Sequence, residues 1–102
     1  MARHRRVDFA AINRAALANL DAIVKRWLPG GRREGAEWVA RNPRRADRHA
    51  GSFKVNLRTG RWGDFAIDVA GGDPISLAAY LSGSSQFDAA CALADMLGIG
   101  DG

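Results

Sequence analysis

Residues 51–76 read GSFKVNLRTGRWGDFAIDVAGGDPIS, and this stretch decides the fold. Phe53, Val55 and Leu57 alternate with Lys54, Asn56 and Arg58, the period-two pattern of a strand with one apolar and one basic face. Thr59-Gly60 marks a turn. A three-residue loop with Gly60 in the left-handed position of a G1 bulge sets Phe53 opposite Phe65, so that the apolar faces of the two strands coincide. In that register Trp62 falls on the outer face among Lys54, Arg58 and Arg61. Such a ring can stack on bases while the cations neutralise phosphates, a common way to hold a single-stranded nucleic acid. Ala70-Gly71-Gly72 reads as a tight bend. Asp73 and Pro74 then read as N-cap and first residue of a helix through Ile75, Leu77, Ala78 and Leu81.

Upstream, Phe9, Ile12, Ala16, Leu20, Ile23 and Trp27 recur at steps of three and four, which predicts one helix from Phe9 to Leu28. Asp8 is its candidate N-cap, and Pro29-Gly30-Gly31 stops it. A short strand follows in AEWVAR, with Trp38 and Ala40 on one face and Glu37, Val39 and Arg41 on the other. Residues 42–51 form a basic loop. Downstream, Ser85 followed by Asp88 resembles a capping box, and Phe87, Ala90, Cys91, Ala94 and Leu97 make the apolar face of a last helix that Gly98 ends. The expected class is α+β: an N-terminal helix, a small three-stranded antiparallel sheet and two C-terminal helices. Residues 1–8 are expected to be a flexible basic arm, 9–99 a single domain and 100–102 a tail.

Composition and charge narrow the function. At 102 residues, 47% hydrophobic and 25% charged, the chain suits one modest globular core. No apolar run is long enough to span a bilayer, and MARHRRVDF lacks the apolar centre of a signal peptide, so a cytoplasmic location is expected. The single cysteine excludes an internal disulfide and a thiolate-based zinc site. The net charge of +4 conceals an asymmetry: positions 1–61 carry all 15 Lys and Arg against 5 acidic residues, whereas positions 62–102 carry 6 acidic residues and no Lys or Arg. The first part suits a polyanion. The second could keep the domain soluble, dock a positively charged partner or cap helices.

Taken together, the elements resemble the N-terminal zinc-ribbon domain of bacterial and phage DNA primases. The matching residues are Asn42-Pro43, Ser52-Phe53-Lys54-Val55-Asn56, Gly60, Trp62, Asp64-Phe65-Ala66-Ile67, Gly72-Asp73, Ile75-Ser76, and Phe87, Ala90, Leu93-Ala94 and Gly98-Ile99. The resemblance covers roughly residues 15–99. Where that family has its four zinc ligands, this chain has Asn42, Arg45, Asp64 and Ile67, which cannot make a tetrahedral site of thiolates and imidazoles. His49 lies near but has no Cys partner. Two readings follow. In one, polar contacts replace the metal, with Arg45 pairing to Asp64 or Asp68, Asn42 bonding backbone groups and Ile67 joining the core. In the other, all four positions have drifted to ordinary surface residues.

In the family the domain is thought to help engage single-stranded template, while a separate domain polymerises. Nothing here resembles the latter, and no carboxylate cluster is left to hold magnesium, so no enzymatic activity and no cofactor or metal are expected. Gly71-Gly72 before a helix lacks the Lys of a nucleotide loop and reads as a plain turn. The first expectation is a nucleic-acid-binding module of a phage or plasmid, acting in replication or transfer beside a primase or helicase, with single-stranded DNA preferred to RNA as ligand. Lys54, Arg58, Arg61 and Trp62 would form its platform, and Arg41, Arg44, Arg45 and Arg48 the backbone track. The alternative is a mobile-element factor that regulates or inhibits a host nucleic-acid-handling protein. A structural domain whose basic loops bind nothing in particular also fits.

Overall fold

The computed structural model describes residues 6–44 and 51–99. The chain runs through α1 (Phe9–Ala18), α2 (Leu20–Trp27), β1 (Arg32–Glu34), β2 (Glu37–Ala40), β3 (Phe53–Asn56), β4 (Trp62–Asp64), β5 (Val69–Gly71), α3 (Pro74–Ser82) and α4 (Gln86–Leu97). All five strands form one antiparallel sheet in sequence order. The α+β class and the two C-terminal helices are as expected. The strand number is not. β1 is an Arg-Arg-Glu edge strand, exposed throughout and therefore without alternation, and β5 contains the Ala70-Gly71 that read as a bend. Gly35, at φ +61°, supplies the two-residue turn that pairs β1 with β2.

The expected N-terminal helix is interrupted at Asn19, where ψ moves to 14° and the backbone N–H bonds the carbonyls of Ala16 and Leu17. The Asn19 side chain donates back to the Ala15 carbonyl, the local competition with helical bonding that asparagine favours. The apolar stripe survives the break, for Ile12, Ala16, Leu20, Ile23 and Val24 are all buried. Helix ends follow the expected chemistry. Asp8 accepts from the Ala11 N–H, Asp73 and Ser76 form a capping box around Pro74, Ser85 accepts from the Asp88 N–H as one half of the expected box, and Gly98 is left-handed.

One apolar cluster unites these helical residues with Trp38, Ala40, Phe53, Val55 and Trp62 from the sheet and Ile75, Leu77, Ala90 and Leu93 from α3 and α4. Its centre is aromatic. Trp62 lies between Phe53, 5.8 Å between centroids, and Tyr80, 5.0 Å, and its indole N–H donates to Ser76 Oγ over 2.9 Å.

This placement overturns the expected hairpin register. Val55 pairs with Trp62 and Phe53 with Asp64, so the connection holds four residues, 57–60, rather than three. Asn56 Oδ1 accepts from the N–H groups of both Arg58 and Thr59, which starts the turn one residue earlier. A slip of one residue exchanges the two faces of β4: Trp62 enters the core at 6% exposure, and Phe65 leaves it at 74%. Gly60 remains the left-handed residue, at φ +80°, and a Cβ there would press on the Pro74 ring.

Gly71 is needed for a different reason. A Cβ on it would collide with the Trp62 indole and with Ser76 Oγ. Gly71→Ala is expected to destabilise the domain by about 1–3 kcal/mol through overpacking, read as a lower midpoint in urea unfolding. An unchanged midpoint would show that the indole is not seated on this glycine.

Candidate nucleic-acid interface

Residues from β2, β4 and α3 converge at one polar centre. Asn42 follows β2, Asp64 ends β4 and Tyr80 projects from α3. Asn42 and Asp64 are each only 1% exposed. The Asn42 amide donates to Asp64 Oδ2 and to the Tyr80 hydroxyl, both at 2.8 Å, and its carbonyl accepts from the Arg44 N–H, also at 2.8 Å. The second oxygen of Asp64 accepts from the Ala66 N–H and so holds the 64–67 turn. Buried polar groups cost free energy unless hydrogen-bonded, and these bonds cross-link β2, β4 and α3 through one amide.

Of the four positions that the primase resemblance matched to zinc ligands, Asn42 and Asp64 are polar and interior and bond each other, and the Asn42 amide bonds side chains as well as backbone. Ile67 does not join the core. It is 44% exposed on the turn that Asp64 ties, after which Asp68, at φ +55°, redirects the chain into β5. Arg45 lies outside the described residues, so its pairing with Asp64 or Asp68 does too. An amide, one carboxylate and an exposed isoleucine do not fit zinc. Among the described residues no group of three or more His, Cys, Asp or Glu could hold a metal ion.

The expected site residues are divided. Arg41 is exposed just beyond β2. Arg44 is anchored, its guanidinium 5.3 Å from the Tyr80 ring centroid and donating to the Tyr80 carbonyl. Arg48, like Arg45, lies outside the described residues, as does most of the basic arm. Arg58 and Arg61 are exposed on the hairpin loop and its return. Lys54 lies on the outer sheet face, paired across strands with Val39 and Gly63. Trp62 is on the other side of the sheet and cannot present a stacking surface.

Phe65 takes the place that Trp62 was expected to fill. The alternation of β4 carries Arg61, Gly63 and Phe65 to the outer face, and Lys54 Nζ stands 5.6 Å from the Phe65 ring centroid. A shallow trough of about 450 Å³ is lined by Lys54, Arg61, Gly63 and Phe65. Glu37 and Asp68 also line it, offering acceptors to base amino groups. Only the alternative loop length in the hairpin could have revealed Phe65 from sequence. The N-terminus of α3 offers no comparable anion site: Asp73 Oδ1 takes the Ser76 N–H and Asn13 Oδ1 takes the Ile75 N–H. The Gly71-Gly72 stretch thus remains a turn into a protein-capped helix.

The same arrangement of helices and sheet occurs in a solved structure of the Aquifex aeolicus primase, comprising its zinc-binding and RNA polymerase domains, with a TM-score of 0.70. In fold, the chain is similar to part of a primase. The match covers 90% of this chain but 22% of that one, at 22% sequence identity, so the likeness is one of fold alone. No family model and no curated protein matches the sequence. The primase resemblance seen in the hairpin and its flanking helices therefore holds for the architecture. No helix among the described residues is long and apolar enough to cross a membrane.

Proposed function

We propose that this domain is a non-catalytic nucleic-acid-binding module that holds a single strand against the outer face of its sheet. Phe65 supplies the stacking surface, Lys54 and Arg61 flank it, and Arg58 and Arg41 extend the cationic path. The observation that carries this reading is the outward phenylalanine, 74% exposed, beside a lysine and with an arginine lining the same shallow trough. A buried core gains nothing from that ring, whereas stacking on a base does. The primase-like fold and the net charge of +10 over positions 1–61 support the same reading, with single-stranded DNA in replication or transfer of a phage or plasmid as the setting.

Fluorescence anisotropy with labelled single-stranded DNA tests it. Phe65→Ala is expected to weaken binding by about 1–3 kcal/mol, roughly 5- to 150-fold, while leaving the thermal melt unchanged because the ring is exposed. If Lys54, Arg58 and Arg61 each neutralise one phosphate, log affinity should fall with log salt at a slope of about −2. Absence of binding at low salt, or binding indifferent to Phe65→Ala, would overturn the proposal.

A further inference from the structure

Away from the sheet's outer face, α3, α4 and the end of α2 enclose an open groove of about 590 Å³. Its walls are Trp27, Leu81 and Met96, and Ala78, Ala89 and Ala92 lower its floor. Trp27 and Leu81 are half-buried and Met96 and Ala92 are exposed, so among the described residues this apolar surface, which Pro43 also lines, is incompletely covered. Small residues between large ones let a helix backbone approach closely while its aliphatic side chains fill the space.

The charge around the groove selects the occupant. Asp88 lines it, Asp95 is the other charged residue of α4, and α3 carries no charged residue. On the α2 wall, Lys25 is already paired with Asp21 at 3.1 Å, while Arg26 beside Trp27 is exposed. A ligand's positive charges therefore belong over α4 and not over α2.

We infer that this groove binds an amphipathic helix of a partner protein, with an aliphatic stripe facing the groove and Lys or Arg along the flank over α4. The inference is independent of the nucleic-acid reading, since the two surfaces share no residue. With both occupied, the domain would join a single strand to a protein.

The test uses two fluorescein-labelled peptides of about 20 residues, long enough to form helix, with the same Leu stripe and either Lys or Glu on the flank. The full chain is expected to bind the Lys peptide at least tenfold more tightly than the Glu peptide. Ala92→Arg, a change at an exposed helical position, should abolish that binding without altering the melt or the affinity for single-stranded DNA. Equal binding of both peptides, binding of neither, or binding unaffected by Ala92→Arg would overturn the inference. Concentration-dependent dimerisation lost in Ala92→Arg would overturn it as well, by showing that a second copy covers the groove. Should DNA binding fail while the Lys peptide binds as described, only the function proposed above falls.

Discussion

Trp62→Ala is expected to cost about 3–5 kcal/mol, a large share of the stability available to a domain of this size. The indole fills the space between Phe53, Tyr80 and the backbone of Gly71, and its N–H satisfies Ser76 Oγ, which in turn closes the capping box of α3. Truncation opens a cavity, removes two ring contacts and loosens the start of a helix. Trp62→Phe keeps one ring but loses the hydrogen bond and the part of the indole seated on Gly71, so a smaller loss of about 2 kcal/mol is expected. Urea unfolding followed by circular dichroism measures both. Had the indole faced outward, Trp62→Ala would have spared stability and weakened nucleic-acid binding. A Trp62→Ala protein as stable as the parent would therefore refute the register described here.

The second large effect is expected at the polar centre. Asp64→Ala removes the acceptor of the buried Asn42 amide and of the Ala66 N–H, leaving a buried donor unsatisfied beside a cavity. A loss of about 3 kcal/mol is expected, equivalent to a fall in melting temperature of about 12–24 °C for a domain of this length. Asp64→Asn retains a carbonyl oxygen for one donor and should lose less. Asn42→Ala should also lose less when combined with Asp64→Ala than the two single losses sum to, because each removes the same bond. Addition of EDTA should leave every one of these melts unchanged. A parent melt lowered by EDTA would show that a metal, and not the Asn42–Asp64–Tyr80 contacts, ties the strands to α3.

Much of the architecture was legible in the chain because it is written locally. Caps at Asp8, Asp73 and Ser85, the left-handed glycine at 98 and the alternation of Trp38 and Ala40 against Val39 each depend on residues a few positions apart. β1 escaped because an edge strand of Arg-Arg-Glu buries neither face, and the break at Asn19 escaped because the apolar stripe continues through it. The candidate site was only half legible. Lys54, Arg58 and Arg61 lie off the core face as expected, but the exposed aromatic residue is Phe65, which shares its trough with Lys54 and Arg61 only.

That exchange separates what the sequence determined from what the tertiary structure decided. The sequence by itself determined a hairpin at residues 53–64 and a helix beginning at Pro74, since period-two alternation, a glycine turn and an Asp-Pro cap act over short range. Which face of β4 is buried is set by a difference of one residue in loop length, which the Asn56 side chain favours locally but does not fix alone. Distant groups settle it: Tyr80 and Gly71 receive the indole, and Asn42 receives the carboxylate of Asp64. Only the folded chain brings these together, and only there do an aromatic stack and a satisfied buried carboxylate outweigh the burial of one phenylalanine.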